Sequence, residues 1–223
     1  FVTFGAKHLK FWTTEAKGGR YTSSLARHGG GGGLGSGIDD VTSAEFLSSS
    51  RLWTGSRRGD IYEWNCDTGV CMRRYEAAHG CGSPVEDPAD RQLRHGGIRA
   101  LRLRASGVEV LSAGADGKVK TWDVSGLASN GTEARCSAVL ELPASYSTKR
   151  SPPQIRALDC MPGSDVFIAG THRCDLWEVD DTPEVLVFGH SDEVYCAAFH
   201  PLVSSKVVTA SFSSFIFVWN LKK

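Results

Sequence analysis

Histidine, serine and aspartate residues recur along the chain in sets that could, by residue type, perform nucleophilic catalysis. Ser112 and Asp116 are four residues apart, and His79 and His95 precede them. A serine hydrolase needs an exposed nucleophile on a sharp turn and an oxyanion hole. These residues instead occupy positions that recur with a strand pattern, so we interpret them as structural. We predict no enzymatic activity and no catalytic residue.

Two other groups suggest bound ligands, but neither has the required spacing. Cys66, Cys71, His79 and Cys81 lie close in sequence, yet the gap between Cys66 and Cys71 falls across a predicted turn and lacks the spacing of a zinc knuckle. The glycine run at 29–37 is followed by neither Gly-Lys-Ser/Thr nor a helix pattern, so it predicts a linker and not a phosphate loop. We expect no metal and no cofactor.

Composition favours a globular protein, and the lack of a secretory signal favours an intracellular one whose cysteines are reduced. The 223 residues are 41% hydrophobic and 22% charged, enough to form a substantial core. Lys plus Arg equals Asp plus Glu at 25 each, so no overall field favours nucleic acid or a membrane surface. The chain opens on the strand-like sequence FVTF without an initiator Met, which predicts a fragment of a longer polypeptide.

Tryptophan marks an internal repeat. One interval, from Trp177 to Trp219, falls within the period of about 40–45 residues typical of WD repeats, and the others exceed it by amounts that insertions could supply. Five of the six tryptophans end short strand-like runs; they are Trp12, Trp64, Trp122, Trp177 and Trp219.

The best-defined repeat is the stretch from His95 to Asp123. Its three apolar runs, at 98–103, 108–113 and 119–122, are separated by Ala-Ser-Gly and Ala-Asp-Gly turns, which leaves room for strands but not for helices. We therefore predict an all-β fold over residues 1–223, a WD40-type β-propeller with about four to five blades that is part of a larger or tandem propeller. The first repeat lacks its inner strand and the fifth lacks an outer strand. Flexible inserts are expected at about 29–37, 80–93 and 125–153.

The repeated polar residues predict a buried hydrogen-bonded chain within each blade. In the third repeat Ser112, Asp116 and Trp122 fit such a chain, with either His79 or His95 as its histidine. The other repeats are expected to be incomplete. In the fifth repeat His190, Thr209 and Trp219 fit but Ser213 stands at the Asp position, which Arg58 and Thr171 occupy in the second and fourth repeats.

Several motifs together resemble blades of the echinoderm microtubule-associated protein-like family. They are Phe1-Val-Thr-Phe-Gly with Phe11-Trp12, Thr54-Gly-Ser with Gly59-Asp-Ile, His95-Gly-Gly-Ile, Ile168-Ala-Gly-Thr171, and Gly189-His-Ser-Asp-Glu-Val with His200-Pro201. The resemblance covers nearly the whole chain outside the inserts. It implies tandem propellers, association with microtubules, and a location in the cytoplasm and cytoskeleton, including the axoneme of cilia or flagella.

The turns between the second and third strands of the repeats offer a physical basis for such binding. These turns are expected at one end of a propeller, and four of the five carry a cation. A basic rim on a neutral chain would attract an acidic surface such as tubulin with salt-dependent strength. The alternative is a general WD scaffold within a larger assembly, whose partner is another protein. The residues predicted to contact a partner are Lys7, Arg57, Arg58, Lys118, His172 and Arg173.

Overall fold

The structure, a computed structural model, describes residues 1–14, 20–28, 39–80, 97–128, 133–143, 153–172, 175–188, 194–211 and 216–221. These residues form β-strands and one short 3-10 helix, Ser125–Ala128. Within them, no helix has the length and apolar character needed to cross a membrane. The strands are β1 Val2–Gly5, β2 His8–Thr14, β3 Tyr21–Leu25, β4 Arg27–His28, β5 Val41–Phe46, β6 Arg51–Ser56, β7 Ile61–Asn65, β8 Val70–Tyr75, β9 Ile98–Leu103, β10 Glu109–Gly114, β11 Lys118–Asp123, β12 Arg135–Glu141, β13 Ile155–Cys160, β14 Phe167–Thr171, β15 Asp175–Val179, β16 Pro183–Phe188, β17 Val194–Phe199, β18 Lys206–Ser211 and β19 Ile216–Asn220.

The strands form five sheets, which we call blades 1 to 5 in chain order. Blade 1 contains β1–β3, blade 2 β5–β8, blade 3 β9–β12, blade 4 β13–β16 and blade 5 β17–β19. Neighbouring strands within each of these runs are antiparallel, and β4 adds a short parallel pair to the outer edge of β8. The inner strands β5, β9, β13 and β17 contact one another in that order. The predicted all-β propeller of four to five blades is therefore confirmed.

The hydrophobic core lies between successive blades and not within any single one. An apolar cluster fills each of the four junctions between neighbouring blades. At the junction of blades 2 and 3, the fully buried Trp53 packs edge-on against Trp122 with 6.1 Å between ring centroids. Because a blade has two faces, this arrangement buries apolar side chains on both sides of the sheets that lie between two others.

The tight turn between the second and third strands explains part of the sequence pattern. Gly59 and Gly117 occupy this turn in blades 2 and 3 with φ of 93° and 76°, a left-handed conformation that glycine adopts without steric cost. In blade 1 the equivalent residue is Lys7, with φ of 50°. The glycines after Arg58 and Asp116 are thus required by the backbone.

The prediction of an insert at 125–153 is wrong for part of that range. Residues 135–141 form β12, the outer strand of blade 3, which pairs with β11 along its length. The strand escaped detection because nearly all of its side chains are exposed, so it lacks apolar alternation. The insert predicted at 29–37 lies outside the described residues, as does nearly all of the one at 80–93.

Candidate functional site: the turn face and the polar networks beneath it

Blade 3 contains a continuous buried hydrogen-bonded chain of four side chains. Asp116 accepts a bond from Nδ1 of His79, at 2.9 Å from Oδ1. His79 Nε2 lies 2.7 Å from Ser112 Oγ, which also accepts a bond from Trp122 Nε1 at 2.8 Å. His79 and Ser112 are fully buried. Of the two candidate histidines the structure places His79 here, while His95 lies outside the described residues.

This geometry ties Ser112 to a structural role. The hydroxyl is 0% exposed and is bonded on one side to an imidazole and on the other to an indole. A nucleophile must reach its substrate, which a fully buried hydroxyl cannot do. Because the Asp116 carboxylate also accepts a bond from the Lys118 backbone N–H at 3.1 Å, the chain links the interior of the blade to its turn. This hydrogen-bonded chain holds the strands of blade 3 in register.

The bond between the indole and the hydroxyl recurs in other blades among the described residues. An indole N–H donates to a threonine hydroxyl in blade 2, from Trp64 to Thr54 at 2.9 Å, and in blade 5, from Trp219 to Thr209 at 2.7 Å. In blade 1 the same bond joins Trp12 to Thr3 at 3.0 Å. The predicted His190 and Ser213 lie outside the described residues.

Blade 4 departs from the predicted register. Trp177 pairs opposite Ala169, and Val179 pairs opposite Phe167. In blade 3, Trp122 pairs with Val110, which lies two positions before Ser112. The same register in blade 4 puts Ala169 at the serine position and Val179, not Trp177, at the tryptophan position. Thr171 is therefore not at the Asp position, a correction to the sequence-based register. Within the described part of the chain, the buried Trp177 Nε1 has no hydrogen-bond partner.

Backbone contacts join the turns of blades 1 to 3 into one surface. Asp40, just before β5, accepts bonds from the Lys7 N–H through its side chain and from the Arg57 N–H through its carbonyl, at 3.1 and 2.8 Å. Gly97, just before β9, accepts a bond from the Ala115 N–H at 3.0 Å, and a Cβ on Gly97 would lie only 2.8 Å from the Arg57 carbonyl oxygen. We call this end of the blades, at residues 6–7, 57–59, 97 and 115–117, the turn face.

Two of the predicted cations on the turn face have acidic neighbours. Arg57 is 45% exposed and lies 3.5 Å from an Asp40 carboxylate oxygen. Arg58 is 76% exposed and lies 3.8 Å from Asp39. Such exposed pairs contribute little to stability, so both guanidinium groups can exchange these partners for an incoming carboxylate. Lys7 is also exposed on this face.

The remaining predicted contact residues differ from these. Lys118 begins β11 and is half-buried. His172 is also half-buried, and its Nδ1 accepts a bond from the Gln154 backbone N–H at 3.0 Å, which anchors the entry to β13. Its ring nitrogen thus has a structural use that the sequence did not indicate. Arg173 lies outside the described residues.

Three cysteines of blades 2 and 4, Cys66, Cys71 and Cys160, lack the raised acidity of reactive thiols. Burial raises the pKa of Cys66, Cys71 and Cys160 to about 11 each, so these side chains stay protonated near neutral pH. Within the described residues, no three His, Cys, Asp or Glu side chains are grouped so that they could hold a metal ion.

A family model described as WD domain, G-beta repeat, matches residues 91–123 and 182–220. The chain carries WD repeats. The first match ends with β11 of blade 3, and the second runs from the outer strand of blade 4 to the end of β19 in blade 5. WD-repeat blades form scaffolds for protein–protein interaction, which agrees with the placement of the buried His, Ser, Asp and Trp side chains in the interior of the blade.

Proposed function

We propose that this WD-repeat protein is a non-enzymatic scaffold that binds microtubules, in the cytoplasm and cytoskeleton, including ciliary or flagellar axonemes, through its turn face. The observation that supports this most is the continuity of the turns of blades 1, 2 and 3, which brings Lys7, Arg57 and Arg58 to one surface. An acidic protein surface such as tubulin is the complementary partner, because cations clustered on a neutral chain attract it at short range.

The polar chemistry of the interior supports a binding function over a catalytic one. The His79–Ser112–Asp116–Trp122 chain uses up its donors and acceptors within blade 3. On the turn face the accessible side chains include the cations Lys7, Arg57 and Arg58, which can form charge-assisted hydrogen bonds to carboxylates. A surface of this kind recognises a partner by charge and shape.

Co-sedimentation with purified microtubules tests the proposal. The double variant Arg57→Glu with Arg58→Glu should lower the affinity by tenfold or more at physiological salt, because it replaces attraction by repulsion on the turn face. The matched control is Arg135→Glu with Lys206→Glu, two exposed cations at the other ends of their blades. Thermal unfolding of both variants separates loss of binding from loss of folding.

The results also distinguish microtubule binding from the alternative, a scaffold for another protein. Tight pelleting that is salt-sensitive, lost in the turn-face variant and kept in the control supports microtubules as the partner. If the wild-type protein does not pellet with microtubules, the partner is a different protein, and the scaffold function stands without tubulin. If both double variants pellet like the wild type, the turn face is not the binding surface.

A further inference from the structure

Each junction between two blades joins a front face to a back face, which we define from blade 3. Its front face holds Ser112 and Trp122 and packs on the preceding blade, and its back face holds Leu111 and Val119 and packs on the following blade. The same pairing register recurs in blades 2, 4 and 5. The four apolar clusters between blades are therefore four repetitions of one kind of contact.

The back face of blade 5 has the composition of a junction but no blade packed on it within the described residues. The two back-face residues just named in blade 3 are 0% and 2% exposed, whereas their equivalents in blade 5, Val208 and Ile216, are 37% and 69% exposed. Where blade 3 has the polar Thr121, blade 5 has Val218, which is also exposed. A contiguous exposed apolar patch of this kind marks a docking surface.

The front face of blade 1 is the second uncovered face in the described part of the chain. Trp12 stands at the position of Trp122, because it ends the same strand and pairs with the second strand in the same register. Phe1 stacks on Trp12 with 5.8 Å between ring centroids, and Tyr21 packs edge-on against Phe1 at 5.5 Å. Strand alternation puts Leu25 on this face as well. Phe1, Tyr21 and Leu25 are all exposed, so the face presents an aromatic and aliphatic surface to solvent.

The polar groups of this front face already have partners, so the face can be covered without stranding them. The Trp12 indole donates to Thr3 Oγ1 at 3.0 Å, and His8 Nε2 lies 3.2 Å from the same oxygen. Burial therefore leaves no orphaned indole N–H. Lys10 corresponds to Lys120, which is half-buried in the junction of blades 2 and 3, and a lysine stem can pack there while its amine stays in water.

We propose that the two uncovered faces are halves of one further junction, in which the front face of blade 1 docks on the back face of blade 5 of a second copy of this chain. The covered junctions support this occupant, because three of the four seat a front-face tryptophan against the preceding blade; they are Trp64, Trp122 and Trp219. The contact joins unlike faces, so it builds a ring where it closes and an open chain where it does not. It is independent of microtubule binding.

Sedimentation velocity over a range of protein concentrations tests this docking. The wild-type chain should form a species of at least twice the monomer mass that increases with concentration. Ile216→Asp with Val218→Asp disables the back face, and Tyr21→Asp with Leu25→Asp disables the front face. Each double variant alone should sediment as a monomer where the wild type associates, because docking would bury unpaired carboxylates. An equimolar mixture of the two should form a dimer and nothing larger, because each supplies the face that the other lacks.

A matched control changes two exposed apolar side chains that belong to neither face. Val108→Asp with Val139→Asp lies in blade 3, and this variant should associate like the wild type. Circular dichroism and thermal unfolding verify that all variants are folded, which is expected because every substituted side chain is exposed.

Three results would overturn the proposal. A wild-type chain that stays monomeric at the highest concentration would leave further blades of a longer polypeptide as the occupant of both faces. Loss of association in only one of the two face variants would show a contact between like faces. Two monomeric variants that form no dimer when mixed would exclude a junction of unlike faces. None of these results bears on co-sedimentation with microtubules, so failure here and failure of the proposed function are distinguishable.

Discussion

Blades 3 and 4 have the same four-stranded topology but hold their strands together with different chemistry. In blade 3 the serine and tryptophan positions are filled by Ser112 and Trp122, whose bond continues through His79 to Asp116. In blade 4 the same positions hold Ala169 and Val179, and a large indole at Trp177 lies opposite the small alanine. Blade 3 forms a hydrogen-bonded polar chain, and blade 4 has packed apolar side chains at the same positions.

The difference shows which part of the repeat the fold requires. Ala169, Trp177 and Val179 all belong to the apolar cluster that fills the junction of blades 3 and 4. A buried polar group is costly when its partner is missing, whereas replacing a whole set of partners by apolar groups can be nearly neutral. The propeller therefore needs a filled junction between blades, which the His-Ser-Asp-Trp chain helps to provide in blade 3 and apolar packing provides in blade 4.

The largest effect is expected from Ser112→Ala. Removing the hydroxyl leaves the Trp122 N–H and a His79 ring nitrogen buried without their shared partner, which should lower the free energy of unfolding by about 2–4 kcal/mol. Thr54→Val in blade 2 is the matched control, because that hydroxyl accepts the Trp64 indole N–H but, within the described residues, is not bonded to a histidine. It should cost about 1–2 kcal/mol. Urea denaturation measures both, and equal losses would contradict a cooperative chain in blade 3.

A smaller difference in the free energy of unfolding should separate variants of Trp122 and Trp177. Trp122→Phe and Trp177→Phe remove the same volume from buried sites, but only Trp122 donates an indole hydrogen bond within the described residues. Trp122→Phe should therefore be more destabilising by about 1 kcal/mol. Thermal and chemical unfolding of the pair give this value directly. A larger loss for Trp177→Phe would show that its indole is bonded to a part of the chain outside those residues.

Much of the fold follows from sequence because strand alternation and turn glycines have direct physical causes. The inner strand at 98–103 has the predicted bounds, since one apolar face is buried and the turns need residues such as Gly117 at positive φ. The outer strand β12 was missed because it is exposed on both faces. The register of blade 4 was misassigned because Trp177 ends a similar apolar run, and a two-residue shift leaves the alternation unchanged.

The candidate site was less accessible to sequence analysis. The turn cations were found because turns are visible as Gly and Asp clusters, whereas the β-bulges at the start of the inner strands leave no compositional mark. One signal was present: each of the four inner strands opens with Val or Ile, and the residue after it varies. The acidic neighbours of Arg57 and Arg58 are Asp40 and Asp39, which precede β5, whereas the arginines follow β6, so only the structure shows the pairing.

Charged side chains also lie at the two junctions of blade 3, and the smallest change in stability is expected there. On one side of blade 3, Arg102 lies 3.3 Å from Glu45 of blade 2, and on the other side 3.2 Å from Asp159 of blade 4. Glu45 also accepts a bond from the Leu103 N–H at 3.0 Å. Burial raises the pKa of Glu45 above its ordinary value despite the opposing effects of this N–H and of Arg102.

This raised pKa has a definite sign in the pH dependence of stability. The folded state holds the Glu45 proton more tightly than the unfolded state, so the stabilising contribution is complete below the unfolded pKa, near 4.5, and is lost as the pH rises through the folded pKa. Glu45→Gln cannot titrate. Its free energy of unfolding should therefore improve relative to the wild type as the pH rises above about 4.5, the ordinary pKa of the carboxyl. Glu141→Gln, at the end of the exposed strand β12, controls for effects that are not specific to the junction. A difference that is flat with pH, or that shrinks, would mean that Arg102 and the Leu103 N–H outweigh burial at the junction of blades 2 and 3.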